Sequence, residues 1–336
     1  MRYIIIGAGA IGGTVAGRLT EAGHDVVLVA RGAHYEALRD HGLRVSTPDG
    51  ARTHPLPTVQ HPHELGELHP DDVLFLAVKT QDSQAALDDW SLRPVAGGGT
   101  AAQRLPLICA QNGVESERMA LRRFRHVYGM CVWLPSTYVE PGAVSAAGAP
   151  YTGILHLGRY PSGVDETARA IAADLEMTKL LAPVVPDVMR WKYGKLLANL
   201  INAIEAVSGP VTSSAAIELL TRAQAEGRTV LKAAGIEAAS EQEQAEARGD
   251  RIRFEAVEGA PRSGSSSWQS LARGTGTIEA DYLNGEIALL GRLHGVPTPV
   301  NEGLRQVANA FAREQRQPGS MPVDEMTALL DALGRG

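Results

Sequence analysis

Lys195, Asn199 and Asn202 share one stripe of a helical pattern in the second half of the chain, at i, i+4 and i+7. Around them Leu196, Leu197, Leu200, Ile201, Ile204 and Val207 cover most of the cylinder, so the helix predicted there is buried. A buried ammonium is costly unless it is paired or faces a wet cleft. Two chemistries fit this stripe. One is a structural hydrogen-bond ladder between helices; the other is a proton donor flanked by amides that orient a bound molecule. The local sequence leaves both open.

The start of the chain offers a second constellation. Tyr3–Ile6 reads as a short buried strand, Gly7-Ala8-Gly9-Ala10-Ile11-Gly12 as a turn opening a helix from about Ile11 to Ala22, and Asp25–Val29 as the next strand. Strand, GxGxxG, helix and strand in that order form the context in which a glycine-rich turn binds a dinucleotide. Gly7 permits the tight turn, Gly9 lets backbone N–H groups approach a pyrophosphate, and Gly12 lets helix and strand pack closely. The helix N-terminus then favours the anion. An acidic residue that would hold an adenosine ribose is missing from the end of the second strand, which runs Val29-Ala30-Arg31. A guanidinium there suits a 2′-phosphate, so NADP(H) is the expected cofactor.

These residues need elements to position them. The runs Asp72–Val78 and Leu105–Ala110 are near-continuously apolar, as strands of a parallel sheet covered on both faces must be. They end in Lys79-Thr80-Gln81 and Gln111-Asn112-Gly113. Ligands of open α/β sheets lie beyond the carboxyl ends of strands, so Lys79, Gln81 and Asn112 are expected at the nicotinamide end of the cofactor. Between the βα units, Leu43–His54 alternates around Pro48-Asp49-Gly50 and predicts a hairpin that decorates the sheet. Short β segments follow from His126 to Tyr160, then a helix at about Asp165–Leu180. Prolines at 183 and 186, with Asp187 able to cap a helix, place the domain boundary at 186/187: a Rossmann domain over 1–186 and an all-α domain over 187–336. In that second part, strand patterns disappear. Helices are expected at about Asp187–Ser208, Ser213–Ala234, Ser240–Glu258 and Thr277–Leu293, and from Thr298-Pro299 to about Arg313, with an ordered turn across Pro261–Trp268.

With 336 residues, two domains are the expectation, and a formal charge of −6 without a basic tract argues against nucleic acid. Cys109 and Cys131 are too few and too far apart for a zinc cluster and read as core in a reducing compartment. No metal site is expected. Neither a signal peptide nor a membrane span is read from the pattern, so the expected location is the cytoplasm.

The Gly7–Gly12 turn, Val78-Lys79, Asn112-Gly113, Lys195-x-x-x-Asn199, Ser267, Glu279-Ala-Asp-Tyr-Leu-Asn-Gly and Gly295-Val-Pro-Thr-Pro, taken together and in this order, resemble the ketopantoate reductases. The likeness spans nearly the whole chain. It implies NADPH-dependent reduction of 2-dehydropantoate to its 2-hydroxy acid, towards pantothenate, in a cleft between a Rossmann and a helical domain. It also implies Lys195 as general acid and Glu279 as the carboxylate that holds substrate and lysine. Asn112, Asn199 and Ser267 fall at substrate-contacting positions, and Lys79 near the nicotinamide. The residue types suit the reaction, because hydride addition to a ketone leaves negative charge on oxygen that an ammonium stabilises and protonates.

Two positions depart from the family. A further asparagine is usual where Ala203 stands, the amide here being one residue earlier at Asn202, and another is usual where Gly264 stands. Both departures concern substrate rather than cofactor. A related 2-oxo acid therefore stays open as substrate, as do a dehydrogenase of the same fold acting on another ketone, imine or hydroxy acid, and an NADP(H) sensor without activity. The intact Lys195, Asn199 and Glu279 count against the sensor. Lys192, one turn before Lys195, reads as a helix-surface charge. A homodimer is left open.

Overall fold

The computed structural model describes residues 1–259 and 264–333. Its contacts divide the chain into two units, Met1–Trp191 with Glu241–Pro261, and Lys192–Ser240 with Arg262–Gly336.

The first unit grows from short apolar runs. It begins β1 (Arg2–Ile6), α1 (Ala10–Glu21), β2 (Asp25–Val29), α2 (Gly32–His41), β3 (Leu43–Thr47), β4 (Gly50–His54) and β5 (Thr58–Val59). Next come β6 (Asp72–Leu76), α3 (Ser83–Ser91), α4 (Ala101–Arg104), β7 (Pro106–Cys109), α5 (Ser116–Leu121) and β8 (His126–Trp133). The unit's sheets are completed by β9 (Ser136–Glu140), β10 (Ala143–Ala146), β11 (Gly148–Pro150), β12 (Gly153–Arg159), α6 (Glu166–Glu176) and β13 (Leu180–Leu181). The main sheet runs β13-β12-β8-β7-β6-β1-β2-β5, parallel except where β12 meets β8. Ile4 of β1 pairs with Val27 on one side and Leu74 on the other, so the chain reverses its winding at β1, as a doubly wound sheet does at its ligand-binding edge. Alternation along β1 supplies both faces: Tyr3 and Ile5 enter one core, Ile4 and Ile6 the other.

The predicted hairpin exists, Leu43 opposite His54 through Thr47 opposite Gly50, but it does not extend the main sheet. It joins a separate sheet of order β4-β3-β10-β9, where β10 runs parallel to β3. Helix α1 lies close against this second sheet: a Cβ on Gly13 would meet Val144 at 3.1 Å, and one on Gly17 would meet Val45 at 2.6 Å.

Helix α7 (Val188–Asn199) carries the chain from the first unit to the second. The long helix expected over Asp187–Ser208 is in fact two, α7 and α8 (Ile201–Ser208), parted at Leu200, which keeps right-handed helical angles. After α9 (Ser214–Ala233), capped by the Ser213 hydroxyl, the chain returns to the first unit. There the expectation of one helix from Ser240 to Glu258 fails. Only α10 (Glu241–Arg248) forms, followed by β14 (Ile252–Phe254), which pairs antiparallel with β11, so strands do not end at residue 186. Arg190 holds Glu243 through two hydrogen bonds of 2.7 and 2.8 Å, and the Arg248 guanidinium lies 4.3 Å from the Trp133 ring centre. These contacts favour a docked arm over a free polar helix.

The second unit resumes with α11 (Ser266–Ala272), a 3₁₀ turn at Glu279–Tyr282, α12 (Asn284–His294), α13 (Pro299–Arg313) and α14 (Val323–Leu333). Pro299 opens α13 and Gly295, left-handed at φ 69°, closes α12, as their positions predict. The Thr277–Leu293 helix is interrupted: Leu283 (φ −112°, ψ −89°) separates the 3₁₀ turn from α12. Of the expected Pro261–Trp268 turn, residues 261–263 lie outside the described residues. No described helix is long and apolar enough to cross a membrane.

Candidate active site

The glycine-rich turn is shaped by atoms that leave no room for side chains. Gly7 leaves β1 at φ 103°, and a Cβ there would lie 2.7 Å from the Val78 nitrogen at the tip of β6. A Cβ on Gly12 would collide with the Gly7 carbonyl oxygen. Gly9 caps α1, and nothing lies within 4 Å of where its Cβ would be. The Gly7 and Ala8 N–H groups both donate to the Val29 carbonyl, at 3.1 and 3.3 Å. Ala10 and Ile11 begin the helix, so Gly9-Ala10-Ile11 presents first-turn amides that lack an intrahelical acceptor. A tight turn at the switch point, open over Gly9 and leading into a helix N-terminus, fits a dinucleotide's pyrophosphate.

The expected neighbours of this turn also lie in the first unit. Arg31 precedes α2 with its side chain 64% exposed, and its guanidinium meets the Asp89 carboxylate at 3.2 Å. The tips of β6 and β7 are joined: the Thr80 hydroxyl donates to the Asn112 carbonyl at 3.3 Å, and the Gln111 amide donates to the Ser83 hydroxyl at 2.9 Å. Lys79, Gln81 and Asn112 are therefore carried by linked loops, each partly buried. Thr80, Ser83 and Gln111 escaped the sequence reading as positioning groups, although their places at strand tips mark them.

In the second unit Lys195 and Asn199 stand one turn apart on α7, both partly buried, while Asn202 is buried on α8 beyond the break. Lys192 is only 3% exposed, so it is not the surface charge its spacing suggested. Helix α9 positions this segment. Gly227 admits Leu197 and Leu200, which would lie 2.6 and 3.3 Å from a Cβ, and the Gln224 amide reaches the Leu197 carbonyl at 3.4 Å, close to the break.

Glu279 and Ser267 are buried, 4% and 3% exposed. The turn carrying Glu279 is pinned by Asp281, which accepts from Arg305 at 3.0 Å and Asn309 at 2.8 Å on α13. Behind it, Asn284 donates to Asn301, and Asn301 donates to the Ala223 carbonyl and to Glu226. Glu226 also accepts the Val300 and Asn301 N–H groups at 2.9 Å, capping α13 from α9. Ser267 sits in the first turn of α11, whose start is held by the Ser265 N–H donating to Glu205 of α8 at 3.0 Å. Thus Ser267 and Asn202 ride on elements tied by one carboxylate. At Gly264 an added Cβ would lie 2.8 Å from Trp268, so the indole occupies the space over that glycine.

The comparisons agree with this architecture. Residues 3–162 match the family model described as "Ketopantoate reductase PanE/ApbA", and residues 187–312 match its C-terminal counterpart. A 2-dehydropantoate 2-reductase of Archaeoglobus fulgidus is 31% identical over 90% of this chain and 95% of its own length. One from Mesorhizobium japonicum is 29% identical over 94% and 99%. Among solved structures, a PanE/ApbA family ketopantoate reductase from Ralstonia eutropha shares the fold with TM-score 0.75 at 24% identity, covering 94% of this chain and all of that one. D-mandelate dehydrogenase in a ternary structure with NADH and anilino(oxo)acetate gives 0.79 at 22%, with the same coverage. With a nucleotide-binding turn in one unit, a lysine-bearing helix in the other and both family models matched in order, the chain belongs to the ketopantoate reductase family of oxidoreductases and takes a nicotinamide dinucleotide.

Proposed function

We propose that the protein reduces 2-dehydropantoate, or a closely related 2-oxo acid, to the 2-hydroxy acid with NADPH. The observation that carries this reading is the helical unit's polar set: Lys195 and Asn199 on one face of α7, with Asn202, Ser267 and Glu279 buried on elements braced by α8, α9 and α13. The bound cofactor supplies the hydride. What the chain supplies is a proton, a charge and an orientation. Lys195 is the general acid, donating from Nζ to the ketone oxygen as negative charge grows there. Glu279 keeps the lysine charged, offsetting the cost of its partial burial. Asn199, Asn202 and Ser267 orient the acid with hydrogen-bonding groups, Asn112 meets both substrate and nicotinamide from the β7 tip, and Lys79 and Gln81 flank the ring from the β6 tip. The Gly7–Gly12 backbone receives the pyrophosphate. Arg31 takes the 2′-phosphate, which requires it to exchange Asp89 for the ligand.

A second reading concerns the substrate's side chain. Trp268 fills the space over Gly264, where the family commonly has an asparagine, so an aromatic face replaces an amide beside Ser267. That favours a 2-oxo acid with a more apolar side chain. Incubating the protein with NADPH and a panel of 2-oxo acids, ketopantoate and phenylglyoxylate included, while following absorbance near 340 nm, decides between them. Turnover of ketopantoate best of all supports the first reading, and preference for the aryl acid the second. Absence of turnover with every acid rejects the proposal and leaves a nucleotide-binding protein.

A further inference from the structure

We propose that His34 is a positioning residue for the dinucleotide: its imidazole grips the Ala8 carbonyl and thereby aims the Gly9 N–H at the cofactor's pyrophosphate. His34 lies in the first turn of α2, outside the glycine motif, and none of the chemistry above uses it. Its two ring nitrogens have different partners. Nε2 lies 2.7 Å from the Ala8 oxygen, and Nδ1 lies 2.9 Å from the Gly142 nitrogen. A backbone N–H can only donate, so Nδ1 is the acceptor and the proton sits on Nε2, donating to Ala8. The ring is therefore a neutral imidazole of one tautomer, packed edge-to-face on Tyr138 with centres 5.0 Å apart. Burial holds its pKa below the ordinary histidine value, with the Ala8 bond opposing in part, which keeps it in this neutral form.

The consequence follows from peptide geometry. Across a trans peptide the C=O and the next N–H point in opposite directions. Pulling the Ala8 oxygen towards α2 turns the Gly9 N–H away from α2. The two preceding amides, of Gly7 and Ala8, are already committed to Val29. No acceptor among the described residues takes the Gly9 N–H, and the space over Gly9 is open. The first amide of the turn left to an anion is thus the one His34 orients. The ring is in turn held by the β9–β10 turn: Gly142 stands at φ 83°, and its carbonyl accepts the Arg44 N–H at 2.8 Å. The second sheet thereby acts on the nucleotide turn through one side chain.

This inference depends on dinucleotide binding alone, so it is tested by binding rather than turnover. NADPH dissociation constants are measured by fluorescence titration on the intact protein, with adenosine 2′-monophosphate, which has no pyrophosphate, as the control ligand. In His34→Asn the short amide keeps an acceptor near Gly142 but falls short of Ala8, and NADPH binding is expected to weaken about tenfold while the control ligand binds as before. In His34→Gln the amide nitrogen replaces Nε2, and NADPH affinity is expected within about threefold of the wild type. The melting temperature of each variant reports folding, and should His34→Asn not fold, His34→Leu is held to the same expectation. Unchanged NADPH affinity in His34→Asn overturns the proposal. So does an equal loss for the control ligand, which would mean that the residue merely supports α2, or a failure of His34→Gln to restore binding.

Discussion

The two units build their functional surfaces from opposite materials. In the first, the nucleotide turn is almost entirely main chain: glycines remove side chains at Gly7, Gly9 and Gly12, and the groups presented are amides. In the second, every candidate group is a side chain, held partly or fully buried by further side chains such as the buried Asn284 and Asn301 and the half-buried Glu226. A main-chain site needs a tight fold at one place and few side chains around it, such as His34 on the Ala8 carbonyl, to aim it. A side-chain site in a helical bundle must hold each polar atom against the cost of burial, which is why α9, α12 and α13 are stitched through Glu226 and Asn301.

This contrast breaks most sharply at Lys195. Replacement by alanine is expected to lower kcat about a hundredfold or more, the usual span for a lost general acid, with the NADPH dissociation constant held within about threefold. Stopped-flow turnover beside fluorescence titration checks it. A matching loss in cofactor affinity, or an unchanged kcat, would remove the division of labour between the units.

The reciprocal experiment is Gly12→Ala. Its Cβ would strike the Gly7 carbonyl and approach Ile5 at 2.9 Å, both fixed by the sheet, so relief requires moving the turn. The expected cost is about 3 kcal/mol in unfolding free energy, the upper part of the range for overpacking, together with loss of detectable cofactor binding. Denaturant melts and NADPH titration measure the two parts. Gly9→Ala, with open space over it, is expected to fold normally.

His156 sharpens the comparison from another side, because it is a buried titratable side chain of the sheet unit. It is 3% exposed on β12, stacked on Trp191 at 4.2 Å, and its Nδ1 has no partner among the described residues. Burial, with the Arg251 charge adding to it, pushes its pKa down to about 4. The unfolded chain takes up a proton near the ordinary value of about 6.5, and the folded one only near 4, so between these the unfolded state binds more protons. Stability from this group is complete above about pH 6.5 and falls as pH drops towards 4, by about 2 kcal/mol at pH 5. His156→Phe, which keeps the stack, is expected to flatten that part of the stability profile in urea melts at pH 5 and 7.5.

What was legible in the sequence follows the same division. The glycine turn could be read because steric exclusion is a local property of residue type, and the parallel strands because burial on both faces leaves continuous apolar runs. The second sheet was not legible as such: β10 pairs with β3 from nearly a hundred positions away, and nothing in either segment names its partner. Strand β14 was hidden in a polar stretch, because the partner that makes it a strand, β11, lies about a hundred positions earlier in the chain. Lys192 was misjudged because a helix apolar almost all round does not reveal which of its charges turns inward. Cys109 and Cys131, read as core, are both buried.

The smallest expected effect concerns cofactor choice. Arg31 is exposed and already paired with Asp89, itself 44% exposed, so a 2′-phosphate must displace a competitor worth about 0.5 kcal/mol in solvent. The net gain from the phosphate is then only about 1 kcal/mol, and Arg31→Ala should weaken NADPH about fivefold while leaving NADH nearly unchanged. Asp89→Asn separates the competitor from the ligand: freeing the guanidinium should tighten NADPH about twofold without touching NADH, an effect that shrinks as salt rises. Equal changes for both cofactors in either variant would mean that the guanidinium does not meet the 2′-phosphate, and the main-chain turn alone would then account for cofactor binding in this unit.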